Sequence, residues 1–437
     1  MPALQPPTPP HLLRWQGRVR VSAQGLQRLE WIAGITLCAL LGYLPFFSRS
    51  GLALTISCAG LLWLLWSLCT PPTERFRGIQ LWLLALLGIA VLASGISPVP
   101  LAASKGLLKL ISYLGVYALL TKLLQSKPVW WDRLVASLLS GALLSSVLAL
   151  RQLYASTDEL ARWADPGSIS EGAIRVYGPV GNPNLLAGYL LPVVPLAAVA
   201  LLRWSGWGQR LFAASTVLLS SAAVVFTYSR GGWLGLLAAL SCLGLLLILQ
   251  STRQWPPFWR RVLPLVVLVG GGCLLAIAAT QIEPVRIRVV SLLAGRGDSS
   301  NNFRINVWLT AIEMIQDRPW LGIGPGNAAF NSIYPLYQLP KFNALSAYSV
   351  PLEVLVELGL PGLLVSLGLL SSTVTTALRA LGQDLRIAGV AIASLAAIAG
   401  LLTQGVTDTI FYRPEVQLTF WFCLATLTAL PERQPTP

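Results

Sequence analysis

Charge is scarce in this chain of 437 residues: only 11% are Asp, Glu, Lys or Arg, against roughly 25% in an ordinary soluble domain. That shortage, set against 55% hydrophobic residues, excludes a soluble globular protein. Histidine is nearly absent, with His11 in a Pro-rich N-terminal tail as the sole example, which excludes histidine-based metal chemistry in the membrane. The six cysteines, Cys38, Cys58, Cys69, Cys242, Cys273 and Cys423, lie inside apolar runs without paired spacing. Neither a disulfide framework nor a zinc site is suggested, and they read as small buried hydrophobes. The N-terminus also lacks an early apolar core followed by a small-residue cleavage site, so no signal peptide is read there.

What the chain has instead is long apolar runs broken by short polar, Pro- and Gly-rich stretches. A window of about 19 residues picks out twelve spans, at 31–46, 51–69, 78–95, 107–123, 134–150, 184–202, 211–227, 231–250, 262–281, 351–371, 386–404 and 416–430. The expected fold class is all-α: a polytopic membrane helical bundle of about twelve transmembrane helices. Placing the N-terminus in the cytoplasm puts seventeen of the 31 basic residues on the inner side. Of the fourteen outside, nine fall in two long segments, 151–183 and 282–350, where the positive-inside rule has little force. Short loops therefore divide seventeen to five, and both termini are expected inside. Basic cytoplasmic loops beside an anionic leaflet account for most of the net charge of +14, so no nucleic-acid partner is needed.

The expected organisation is a cytoplasmic tail at 1–30, transmembrane helices one to nine at 31–281, an external loop at 282–350, helices ten to twelve at 351–430, and a cytoplasmic tail at 431–437. The loop is too long for an idle connection. Within it, "DSSNNFRINVWLTAIEMIQDRP" offers Ser and Asn caps, then Phe303, Val307, Ala311 and Ile315 at helical spacing, and a stop before Pro319. The spacing predicts an amphipathic helix over 303–316, with Phe303, Val307 and Ile315 buried. "GIGPGN" after it follows no predicted strand and reads as a tight turn. "RGD" at Arg296–Asp298 reads as a polar turn. No pair of Gly/Pro-broken helices in matching halves, the usual pointer to a secondary transporter, is visible.

Against this apolar background a few ionisable residues are site candidates. Arg230, in "VVFTYSRGGWLGLLAAL", sits at the outer end of a hairpin so short that its guanidinium must lie near the membrane boundary. An ionisable group in that setting is a functional-site hypothesis, and the planar fork suits phosphate or carboxylate; a snorkelling anchor is the alternative. Lys105 and Lys109 are spaced i, i+4 on one helix face, Arg151 ends span five, Arg304 opens the external helix, and Arg413 lies in the last external turn. Together they form a candidate cationic vestibule. Glu353 and Glu357, again i, i+4, open span ten, where they serve as anchors, as a general base or in ion coupling. Asn182 and Asn184 flank a proline at the start of span six, where their amides can cap the helix and also face a polar ligand.

"GNPNLLAGYLL", "SRGGWLGLL", "FRINVWLTAIEMIQDRPWLGIGPGN" and "LEVLVELGLPGLL", in that order over about 184–365, resemble the O-antigen ligase and polymerase superfamily of membrane glycan-transfer proteins. "GPVGNPNLLAGYLLP" and "NALSAYSVPLEVLVELG" are similar to a cyanobacterial branch named for inorganic-carbon (bicarbonate) transport. The resemblance implies a multi-pass protein of the bacterial inner (plasma) membrane with a large external loop over a cavity for a polyprenyl-diphosphate-linked glycan. It implies no cofactor. It assigns the diphosphate to arginines at the positions of Arg230 and Arg304, and the proton-accepting base to a histidine at the position of Tyr348. Tyrosine, with an ordinary pKa near 10, is a far poorer base at neutral pH than imidazole, so ligase activity does not carry over intact. The alternative reading is anion transport, with bicarbonate as the small-anion partner; the spans offer it no mid-depth polar groups beyond serine, threonine and glycine.

Overall fold

The computed structural model describes residues 22–70, 78–154, 175–281, 286 and 295–431. His11, most of the N-terminal tail and parts of segments 151–183 and 282–350 lie outside the described residues. Among the described residues there are helices and turns and no strand. The helices are α1 (Ala23–Gly42), α2 (Arg49–Cys69), α3 (Gly78–Gly95), α4 (Pro100–Ser126), α5 (Val129–Arg151), α6 (Pro183–Leu190), α7 (Val193–Arg203), α8 (Trp207–Phe226), α9 (Arg230–Ser251), α10 (Pro257–Gln281), α11 (Ser299–Asp317), α12 (Asn327–Ile333), α13 (Val350–Ala380), α14 (Leu385–Gly405) and α15 (Pro414–Thr428).

Nine stretches among the described residues are long and apolar enough to cross a membrane: α2, α3, α4, α5, the α6–α7 unit, α8, α9, α13 and α14. The protein is a polytopic helical membrane protein. The remaining three expected spans fall on α1, α10 and α15. Helix α1 begins at Ala23, a full two turns before the expected start at 31, because Ser22 caps it by accepting from the Gly25 amide at 3.1 Å.

Apolar side chains on the flanks, among them Leu54, Leu61, Leu218 and Leu364, are exposed, as a lipid-facing surface requires. The interior is built on α7 and α14. Val193, Val194, Leu196 and Ala197 of α7 and Ala391, Ala393, Ala396 and Ala397 of α14 are buried. Helix α9 lies along α14 so closely that a β-carbon on Gly235 would sit 2.8 Å from the Gly400 carbonyl oxygen. Small residues permit this approach, and in lipid, where burial gives little drive between helices, close van der Waals packing replaces it.

Helix α13 is broken. Gly359 adopts φ 66°, ψ −165° inside it, and Pro361 follows, so the expected uninterrupted span at 351–371 is corrected to a short helix, Val350 to Leu358, and a longer one from Leu360 to Ala380. The second piece alone reaches the roughly 20 residues that cross a bilayer. Proline lacks the amide that would continue the ladder, and the carbonyls and the amide freed by the break find other partners. The Ile323 amide donates to the Val356 carbonyl at 2.9 Å, the Gly324 amide to the Glu357 carbonyl at 3.0 Å, and the Leu360 amide to the Pro319 carbonyl at 2.8 Å. The "GIGPGN" turn is thus a backbone clasp on the break in α13.

Candidate functional site: a guanidinium cluster at one end of the bundle

The N-termini of α6, α9, α11, α13 and α15 gather at one end of the bundle, the Arg230 end. Ser229 caps α9, accepting from the Gly232 amide at 3.1 Å, which fixes Arg230 as the first helical residue. A cation there faces the positive end of the helix dipole and needs a counter-charge. Asp298 supplies it: Arg230 Nη2 lies 2.7 Å from Asp298 Oδ1, with the Arg230 side chain 10% exposed and that of Asp298 fully buried. The same Oδ1 accepts from the Asn301 amide at 3.0 Å, so Asp298 caps α11 while neutralising Arg230.

Two sequence expectations are corrected here. Arg296–Asp298 is more than a polar turn, since its aspartate is buried against Arg230. Helix α11 spans Ser299–Asp317 instead of 303–316, because Asp298, just ahead of the Ser and Asn residues expected to cap it, is the N-cap. The amphipathic pattern otherwise holds. Val307 and Ala311 are buried, and Phe303 and Ile315 are partly buried against the same small core.

A second cation–carboxylate pair forms beside the first. Arg304 Nη2 lies 3.7 Å from Asp408 Oδ1, beyond hydrogen-bonding distance, while Arg304 Nη1 donates to the Ser300 hydroxyl at 2.7 Å. Arg304 Nε is buried without a hydrogen-bond partner. Asp408 lies in the turn between α14 and α15. Burial pushes its carboxyl above the ordinary value, opposed by the charges of Arg304 and Arg175 and by hydrogen bonds from the Thr409 amide and the Asn184 side chain. Asn184 in turn accepts from Arg175 Nη2 at 2.8 Å, and its backbone carbonyl accepts from Gln404 Nε2 at 2.7 Å. Asn182 is the residue that caps α6, through the amides of Asn184 and Leu185.

Tyr348 closes the cluster. Its ring stands edge-on to Phe303 at 5.3 Å, and its carbonyl accepts from Trp308 Nε1 at 3.3 Å. Burial pushes the phenol above its ordinary pKa, Asp408 acts the same way, and Arg304 opposes them. Both Tyr348 (φ 50°) and Tyr228 (φ 49°), two residues before Arg230, occupy the left-handed region, sparsely populated for bulky residues and concentrated at functional sites.

The other candidates are distributed around this cluster. Lys105 is exposed and is not brought into it. Lys109 turns inward, its Nζ donating to the Tyr412 carbonyl at 2.6 Å, with Glu357 and Glu353 as attracting charges. Arg413 precedes α15 and pairs with Glu415 at 3.2 Å. Arg151 is exposed at the end of α5. Among the described residues no group of three or more His, Cys, Asp or Glu is placed to hold a metal ion.

Asp298, Asp408, Arg175 and Gln404 were missed by sequence reasoning. A usable signal existed for Asp408, an acid in a short turn between two apolar spans; Arg175 and Gln404 offered only a lone polar residue each. No curated protein matches the chain. Residues 215–367, which carry Arg230, Asp298, Arg304, Tyr348 and Glu357, match the family model described as O-Antigen ligase, and over that stretch the protein is O-antigen ligase-like.

Proposed function

We propose that the Arg230 end faces outward, with both termini cytoplasmic in a bacterial inner membrane and 282–350 external, and that it binds the diphosphate of a polyprenyl-diphosphate-linked glycan. The observation that carries this reading is Arg304. Its guanidinium is mostly buried, stands 3.7 Å from its carboxylate and leaves Nε without an acceptor. Buried donors are almost always satisfied, and an arginine fork offers a diphosphate two parallel hydrogen bonds. Arg175 and the dipoles of the gathered helix N-termini add positive potential at the same place. Arg230, held by Asp298, shapes the site and contributes less to the ligand.

The assigned activity is binding. Transfer requires a base to take the acceptor proton, and a buried tyrosine with a raised pKa does not supply one at neutral pH. Small-anion transport, the reading attached to the bicarbonate branch, lacks a specific supporting feature of comparable weight.

Binding of a short-chain polyprenyl diphosphate to the purified protein tests the proposal. Arg304→Ala and Arg304→Lys are both expected to weaken it at least about tenfold, because lysine keeps the charge and loses the fork. Unchanged affinity in Arg304→Ala would refute it. Anion flux in proteoliposomes, abolished by the same substitution, would favour transport instead. In a cysteine-less background, Leu345→Cys is expected to react with an impermeant thiol reagent added outside intact cells and Leu385→Cys only after permeabilisation.

A further inference from the structure

Beside the Asp408–Arg413 turn, α4, α13, α14 and α15 line a cavity of about 420 Å³, within the usual size range of ligand sites. Its walls are mostly apolar, and its charged groups are Lys109, Glu353 and Glu357. Leu370, Ile398, Leu402 and Leu424 line the deep part, and Lys109, Glu353, Glu357 and Tyr412 line the mouth. From Leu360 to Thr373, the deepest lining residue of α13, the helix rises about 20 Å at roughly 1.5 Å per residue. Leu367 is a wall residue and is also 53% exposed, so the cavity reaches the lipid-facing flank of α13.

The polar mouth is only partly explained by anchoring the loops. Lys109 is used by the Tyr412 carbonyl, and Glu357 accepts a hydrogen bond from the Gly326 backbone. Glu353 Oε2 is buried and has no hydrogen-bond partner. A buried acceptor of this kind normally has a donor, and here it lines a cavity whose walls are otherwise mostly apolar.

We propose that this cavity binds one acyl chain of a membrane glycolipid with an uncharged, polyhydroxyl head, and that Glu353 accepts a hydrogen bond from a head-group hydroxyl. The mouth selects against the other membrane lipids. Two carboxyl groups facing one ammonium leave the mouth no surplus of positive charge to hold a phosphate, and every phospholipid head carries one. A sugar head presents hydroxyl donors to Glu353 and hydroxyl acceptors to Lys109 without a charge of either sign. The site stands apart from the diphosphate reading and does not depend on it.

Native mass spectrometry of the full chain, incubated with an equimolar mixture of galactosyl diacylglycerol, phosphatidylglycerol and phosphatidylethanolamine of identical chains, tests the inference. The wild type is expected to retain the glycolipid at least fivefold over either phospholipid. Leu370→Trp, which fills the cavity, and Glu353→Leu, which removes the acceptor, are each expected to abolish that preference, and Arg304→Ala to leave it intact. Equal retention of the three lipids, or a preference untouched by both cavity variants, overturns it. Should those variants fail to fold, glycolipid carrying a diazirine in its acyl chain is cross-linked to the wild type. Adducts on α13, α14 and α15 support the site, and adducts confined to lipid-exposed positions such as Leu54 and Leu61 overturn it. Displacement of the glycolipid by a polyprenyl diphosphate overturns it as well, by giving the cavity to that lipid.

Discussion

Arg230 and Asp298 meet at 2.7 Å although 68 residues separate them in sequence, and both side chains are largely withdrawn from solvent. Removing one member of such a pair strands the other charge, which typically costs about 3–5 kcal/mol. Arg230→Met and Asp298→Leu are therefore each expected to lower the unfolding midpoint in detergent sharply, and the double variant to recover a large part of the loss. Additive losses in the double-mutant cycle would show that the pair is not coupled.

Asp408 makes stability depend on pH with a definite sign. Its folded pKa lies above the ordinary 3.8, so the folded state holds the proton more tightly than the unfolded state does. Its contribution to stability is full below the ordinary value and is lost as pH rises through the raised one. Thermal melting across that window is expected to fall with pH more steeply in the wild type than in Asp408→Asn. Parallel slopes would show that this carboxyl does not titrate as described. Protonation also releases Arg304 from its counter-charge, so wild-type affinity for diphosphate should rise toward acid more than that of Asp408→Asn.

Tyr348→His restores an imidazole at the position where the resemblance expects one. Histidine tolerates the left-handed backbone better than most side chains, so the variant is expected to fold as well as the wild type. With a polyprenyl-diphosphate sugar and a hydroxyl acceptor, it should give product where the wild type gives none. Product from the wild type at a comparable rate would mean that another residue is the base.

Ala in place of Gly322 or Gly359 tests the clasp. Both glycines have positive φ, 59° and 66°, and an added β-carbon would meet the Val356 and Trp320 carbonyl oxygens respectively. Each substitution is expected to cost more than about 1 kcal/mol and to expose the 319–345 region to protease while leaving the protein membrane-inserted. Protease resistance equal to the wild type would show that the clasp tolerates a side chain.

The bundle was legible in sequence because a membrane span is encoded locally: about 20 uncharged apolar residues declare it without reference to the rest of the chain. Helix α11 was legible for the same reason, its 3.6-residue spacing being a local property. The break at Gly359 left a readable trace, a glycine two residues before Pro361, of the kind that ends helices. Polar partnerships left none. Asp298 looked like an exposed turn residue because its burial is imposed by α9, and Asp408 acquires its meaning only when Arg304, Arg175 and Asn184 arrive from three distant segments. Arg230 is isolated only in sequence: its counter-ion, Asp298, lies 68 residues away.

Residues Pro319 to Gly326 are synthesised before Val356 to Leu360, so their amides and carbonyls must find other partners until α13 reaches them. The same order holds for Arg304, whose carboxylate at Asp408 is translated a hundred residues later. The Arg230 end therefore matures late in synthesis, when α13 and the turn before α15 have been delivered to the membrane. Premature termination between α11 and α13 would yield a product that inserts its earlier helices and still lacks this end, with Arg304 left without its carboxylate.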